Sequence, residues 1–277
     1  MKKSKKIALA FMAAALAVFI WFGVSGPLEV TRYELEEGKL PPAFDGYRIL
    51  QVADLQNSTD PHILAYAREL KPDLIVFSGD NFYTTVSPET MEWTLSLVYE
   101  LSKIAPVYAV SGNHDLWNKD FMQNQRLLAE AGAILLENAT QTIMRGGDSV
   151  TISGITDPYV FDTPDVNARV RQYLRDVHPT TGYDILLFHR ANFLDLLQGQ
   201  GFELIFSGHL HGGQFRLPFV EGGLMTPEGG FFPKYIGGVY GIGDGCTAVV
   251  SRGIGNTAIV PRFFDAPELV LVTLHCK

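Results

Sequence analysis

Five times along this chain a short apolar run breaks off into a polar cluster. Ile49-Leu50-Gln51-Val52-Ala53 ends on Asp54-Leu55-Gln56-Asn57, Leu74 to Ser78 on Gly79-Asp80-Asn81, and Val107 to Ser111 on Gly112-Asn113-His114-Asp115. Asp184 to Phe188 runs into His189-Arg190, and Glu203 to Ser207 into Gly208-His209-Leu210-His211-Gly212-Gly213-Gln214. Short apolar runs without alternation read as strands buried on both faces. Ligands in α/β sheets collect beyond the carboxyl ends of such strands. The five clusters are therefore expected to meet on one rim.

The intervening sequence supplies helices. Asp60-Pro61 opens one that runs to about Leu70, Ser87-Pro88-Glu89 opens another to about Lys103, and Phe121 to Ala131 has helical apolar spacing. Gln141 to Arg145 and Val150 to Ile155 flank Gly146-Gly147-Asp148 as a hairpin. Helices around Asp165 to Arg175 and Asn192 to Leu197 follow, residues 222–245 read as loop and turn, and Val249-Val250 and Leu269 to Leu274 read as closing strands. The expected domain is a mixed β-sheet with helices on its outer faces.

The clusters carry Asp, Asn and His, a nitrogen and oxygen donor set suited to Mn, Fe, Zn or similar ions rather than to a sulfur site. Taken singly, Gly79-Asp80 and Gly112-Asn113 read as turns and His189 as a core histidine. His209 and His211 are different: two histidines one residue apart, between glycines at a strand exit, gain nothing in packing. Strand-like alternation aims them to opposite sides, so each can serve a different ion. The two cysteines, Cys246 and Cys276, exclude a disulfide framework and a cysteine-rich zinc site, though they are able to pair outside a cell. A net charge of −8 argues against a nucleic-acid scaffold.

In this order the clusters resemble those of the calcineurin-like metallophosphoesterase superfamily, most closely its bacterial exported or membrane-anchored branch. Residues 212–219, Ser251-Arg252-Gly253-Ile254-Gly255 and Pro261-Arg262 through Pro267-Glu268 add to the likeness, which covers about residues 47–275. The resemblance implies a four-layer α/β/β/α sandwich with two divalent metal ions at the strand ends. It places Asp54 and His211 on the first ion, Asp80 as the bridge, and Asn113, His189 and His209 on the second. It makes His114 the general acid or charge stabiliser, with Asp115 orienting its imidazole. A water between the two ions would attack phosphorus in line.

Gln56 departs from that pattern, standing where the family carries a histidine ligand of the first ion. An amide oxygen is a weaker donor to transition ions than imidazole. Three outcomes are compatible with it: a weakened first site with Gln56 or water as ligand, activity carried by the second ion, or a metal-binding but idle domain.

Lys2, Lys3, Lys5 and Lys6 precede an uncharged run from Ile7 to Val24, about 27 Å long as a helix. Residues 1–26 are expected to form a transmembrane anchor, with the lysines cytoplasmic and the rest outside; a cleaved signal peptide is the competing reading. Residues 27–45 then form a juxtamembrane connector, whose Glu29 to Leu35 alternates as an edge strand does, and 46–277 the catalytic domain. The expected substrate is a phosphodiester or pyrophosphate, lipid-linked or in the envelope. His62, His178 and His275 read as surface or packing residues, and Arg190 as a substrate-phosphate contact or a surface salt bridge. Leu224, Met225, Phe231, Phe232, Lys234 and Tyr235 belong to a packed loop or to a substrate-selecting rim.

Overall fold

The computed structural model describes residues 2–24, 26–159, 165–177, 179–180, 182–216, 222–226, 230–256 and 261–277. In chain order its strands are β1 (Glu29–Glu37), β2 (Tyr47–Val52), β3 (Leu74–Phe77), β4 (Val107–Ala109), β5 (Ala133–Leu135), β6 (Ala139–Arg145) and β7 (Asp148–Gly154). There follow β8 (Asp184–Arg190), β9 (Leu204–Gly208), β10 (Met225–Thr226), β11 (Gly230–Phe231), β12 (Gly238–Gly241), β13 (Thr247–Val250) and β14 (Glu268–Cys276). The helices are α1 (Lys2–Val24), α2 (His62–Leu70), α3 (Pro88–Ser102), α4 (Asn113–Trp117), α5 (Phe121–Glu130) and α6 (Val166–Asp176), with a 3₁₀ segment at Ala191–Leu197.

Two six-stranded sheets form, in the orders β1-β14-β2-β3-β4-β5 and β12-β13-β9-β8-β7-β6. The inner pairings β2–β3, β3–β4, β7–β8, β8–β9 and β9–β13 are parallel, so their clusters leave the sheets in a common direction. Antiparallel pairs, β6–β7 and β12–β13, close both edges of the second sheet.

Alternation along these strands divides the core into three layers. Ile49, Leu74, Val76, Ile185, Leu187, Leu204 and Phe206 fill the space between the sheets. Their neighbours Leu50, Ile75 and Phe77 turn outward against Ile63 and Ala67 of α2 and Leu97 and Leu101 of α3. Leu186, Phe188 and Ile205 turn outward on the other side, against Val170 and Leu174 of α6 and Leu194. The resulting order is helix, sheet, sheet, helix. Each such fully buried side chain contributes about 1.5–3 kcal/mol relative to exposure, which is why the apolar runs persist without polar interruption.

The edge strand read in Glu29 to Leu35 is present: β1 is hydrogen-bonded along its whole length to β14 at the edge of the first sheet. Other elements depart from the sequence reading. Within 222–245, read as loop, β10 and β11 pair with each other, and β12 pairs with β13. Glycine-rich composition hid these strands, because glycine is depleted in strands, although each partner lies only a few residues away. Cys246 is buried and Cys276 exposed, and both are free thiols.

Helix α1 spans the expected residues, and its end meets the domain: Phe264 N donates to Gly23 O at 2.7 Å, and the Phe19 ring packs on Phe263 and Phe264. Among the described residues, however, no helix is long and apolar enough to cross a membrane. The transmembrane expectation therefore has no support from the structure.

Candidate active site

The five clusters converge where the parallel strands end. Asp54 and Gln56 follow β2, Asp80 follows β3, and Asn113, His114 and Asp115 open α4 after β4. His189 lies at the end of β8, and His209 and His211 follow β9. Asp54, Gln56, Asp80, His209 and His211 all adopt positive φ, between 43° and 78°. This backbone is unfavourable for residues with a Cβ and concentrates where surrounding bonds over-determine it.

Those bonds are visible. Asp54 N donates to Gly79 O at 3.0 Å and Gln56 N to Asp80 O at 2.9 Å, so the β2 exit is stitched to the β3 exit. Both Asp54 carboxylate oxygens accept from His209 N at 3.1 Å, which joins the two sheets at the site. Asp80 Oδ1 accepts from His114 N at 2.9 Å, and the packing is so close that a Cβ on Gly112 would overlap that oxygen.

Asp54, Asp80 and His189 each bring a ligand atom within 4.8 Å of the others, and all three are buried. His189 Nδ1 lies 3.0 Å from Ser78 O; a carbonyl only accepts, so Nδ1 carries a proton. Nε2 then faces Asp80 Oδ1 at 3.4 Å. His189 Nε2 and Asn113 Oδ1 are buried and make no hydrogen bond among the described residues. An imidazole nitrogen beside two carboxylates, with the buried Asn113 Oδ1 at the adjoining start of α4, matches the nitrogen and oxygen coordination of a divalent ion.

The electrostatics agree. Burial alone would lower the His189 pKa, but Asp80, with a smaller contribution from Asp54, raises it to about 10. Burial opposes ionisation of Asp80 too, yet His189 holds its carboxyl well below the usual range. Asp54 is pushed up to about 6 by burial, with His189 lowering and Asp80 raising it. The pocket thus attracts positive charge strongly.

The two histidines after β9 each meet a buried arginine. Arg190 Nη1 lies 3.1 Å from His209 Nε2, while its Nε donates to Asp157 at 2.7 Å. Arg262 Nη2 lies 2.9 Å from His211 Nδ1 and also donates to Gly255 O. Arg190 and Asp157 are both fully buried, so Arg190 forms no surface salt bridge. Asp157, beyond the end of β7, is missing from the sequence reading, and Arg262 is visible there only as part of a motif.

His114 is only partly buried, with Nδ1 2.8 Å from Thr84 Oγ1 and its ring against Tyr83 and Trp117. Asp115, expected to orient this imidazole, sends its carboxylate to the N–H groups of Asn81, Phe82 and Gly112 instead. It thereby ties the α4 start to the β3 exit. Asn57 donates to Thr85 O at the edge of the site. His62 pairs with Asp60 and His275 with Glu34, both exposed, whereas His178 lies outside the described residues. Of the 222–245 segment, Tyr235 is buried while Phe231 and Phe232 are exposed.

A two-sheet α/β fold with a buried carboxylate and histidine cluster at its strand ends defines a metal-dependent hydrolase class. The family model for calcineurin-like phosphoesterases matches residues 47–213, and the chain belongs to that family. It is a metallophosphoesterase, a hydrolase of phosphoester bonds. It is 28% identical to the uncharacterized metallophosphoesterase YkuE of Bacillus subtilis (89% of this chain, 85% of the relative). It is 25% identical to the phosphodiesterase YaeI of Escherichia coli (98% and 99%). With the UDP-2,3-diacylglucosamine pyrophosphatase LpxG of Chlamydia muridarum it shares 24% identity (95% and 94%).

Proposed function

We propose that the chain hydrolyses a phosphodiester or pyrophosphate, with divalent cation bound at Asp54, Asp80, Asn113 and His189 and bordered by Gln56, His209 and His211. The observation that carries this reading is the buried cluster of Asp54, Asp80 and His189, whose ligand atoms lie within 4.8 Å of one another, with an orphaned Asn113 Oδ1 at the start of α4. When bound, divalent ions supply Lewis-acid activation of water and offset charge on the phosphoryl oxygens.

The protein's own groups do the rest. Asp54 and Asp80 hold negative charge that anchors the cation, and the Ser78 carbonyl keeps the His189 ring in the tautomer that presents Nε2. His114, at the open side of the cleft, gives a proton to the leaving oxygen, and Thr84 holds its ring through Nδ1. Asp115 fixes the backbone from which Asn113 and His114 project.

The names of YaeI and LpxG, a phosphodiesterase and a pyrophosphatase of a diacylated sugar nucleotide, favour diester and pyrophosphate bonds and a lipid-linked substrate. The lysines and apolar run of residues 1–26 favour membrane anchoring, with residues 46–277 as the catalytic domain outside. The test is hydrolysis of bis-p-nitrophenyl phosphate, p-nitrophenyl phosphate and a nucleotide–sugar pyrophosphate by metal-loaded protein. Diester or pyrophosphate turnover that vanishes in Asp80→Ala is expected. Turnover of the monoester alone would overturn the substrate class, and turnover that survives Asp80→Ala would overturn the site.

A further inference from the structure

Gln56 is fully buried among the charged groups of the site. Its Nε2 donates to Asp80 Oδ2 at 3.1 Å and lies 3.3 Å from His211 Nε2. Its Oε1 is buried without a hydrogen-bond partner among the described residues. A carboxylate only accepts, so the amide turns its NH₂ toward Asp80; the flipped amide would set oxygen against oxygen. The side chain is thus oriented as a donor, opposite to what a metal ligand requires.

His211 is oriented the same way. A guanidinium only donates, so His211 Nδ1 accepts from Arg262, and the neutral ring carries its proton on Nε2. That atom faces Asp54 Oδ1 at 3.6 Å. Arg262 is locked in place by bonds to Gly255 O at 2.6 Å and Arg252 O at 2.8 Å. On this side of the two carboxylates, then, the protein presents N–H groups where an ion would need lone pairs. On the other side, the Asn113 Oδ1 lone pairs are buried without a partner among the described residues.

We propose that this chain holds one divalent ion tightly, on Asp54, Asp80, Asn113 and His189, and that Gln56 with the Arg262-bound His211 takes the neighbouring ion's place with N–H donors. The inference rests on the function proposed above, in that the cleft binds divalent cation at all. A second ion would have to break the bond from Gln56 to Asp80, which the first ion does not require. Positive charge on that side comes from the fixed Arg262 guanidinium.

The test is Mn²⁺ binding to the detergent-solubilised full chain after chelator treatment, read by equilibrium dialysis with metal analysis and by electron paramagnetic resonance. One tightly bound Mn²⁺ per chain with an isolated-ion spectrum is expected. Gln56→His and the near-isosteric Gln56→Glu, each checked for native thermal unfolding, should bind two with an exchange-coupled spectrum. Two Mn²⁺ in the wild type, with affinities within about tenfold and a coupled spectrum, would overturn the inference and leave the proposed function standing. Two folded variants that still bind one would overturn the role given to Gln56. No bound Mn²⁺ at all would overturn both readings. Should either variant fail to fold, the wild-type stoichiometry and the other variant decide.

Discussion

Asp115 offers a graded test of how the site is built. Its buried carboxylate accepts from four N–H groups: Asn81 N at 3.0 Å, Asn81 Nδ2 at 3.2 Å, Gly112 N at 2.8 Å and Phe82 N at 2.8 Å. The first three share Oδ2, and the fourth has Oδ1. Asp115→Ala orphans all four, at about 1–3 kcal/mol each before water refills the space, so a net loss of about 4 kcal/mol is expected. Asp115→Asn keeps an oxygen for the three donors and sets its NH₂ against Phe82 N. It therefore loses one bond and should cost about 1–3 kcal/mol. Urea denaturation of the two variants against wild type measures both values, and hydrolysis rates should fall in the same order because α4 carries Asn113 and His114. Equal losses in the two variants would refute the assignment of Oδ2 as the shared acceptor. A loss below about 1 kcal/mol in Asp115→Ala would refute the structural role itself.

Two further outcomes are expected. His114→Ala should lower turnover by about 10²–10⁴-fold with bound metal unchanged; loss of metal in that variant would show that His114 is a ligand. Glu37 is raised to about 7, by burial first and by Glu203, against a bond from Thr247. A carboxyl with a raised folded pKa favours the fold only while protonated, so its contribution is complete below about pH 4.5 and is lost as pH rises through about 7. Glu37→Gln should remove about 2 kcal/mol of that decline, after allowance for solvent screening, and be the more stable protein at pH 8. Denaturation midpoints of both proteins across this range measure the difference, and parallel curves would count against it.

The sequence revealed the site more fully than the fold around it, for a physical reason. Apolar runs such as Leu74 to Phe77 and Ile185 to Phe188 are continuous because both sheet faces are covered, and their polar ends stand out against them. That contrast was enough to bring Asp54, Asp80, Asn113, His189, His209 and His211 to one rim. Strand β12 pairs with the nearby β13, yet nothing in the glycine-flanked Gly238–Gly241 announces a strand; β1 alternates as an edge strand does, and only the fold shows that its partner is β14. The arginines show the other gap. Arg190 reads in the sequence as a substrate-phosphate contact or a surface salt bridge, and only the fold reveals its buried partner Asp157, 33 residues away. Asp115 fits the motif by position, but the partners of its carboxylate follow from how closely the β3 and β4 exits approach.

The conformations of these residues link the chemistry to the surrounding scaffold. Five site residues hold positive φ, a conformation that costs of order 1–3 kcal/mol for each residue with a Cβ. No isolated strand exit would adopt it. It persists because the turns bond one another: Asp54 N to Gly79 O, Gln56 N to Asp80 O, and Gly255 N back to Asp54 O at 2.7 Å. The strain and the bonds that offset it therefore come from different strands of both sheets. A cation attracted by Asp54 and Asp80 would meet groups already held in place, so little ordering entropy remains to be lost on binding. The same rigidity makes Gln56 consequential: its backbone is fixed by Asp80 O and its Cβ lies against Gly255, where an added Cβ would come within 3.0 Å. With its backbone and Cβ so held and its Nε2 donating to Asp80, the amide itself faces that side of the site.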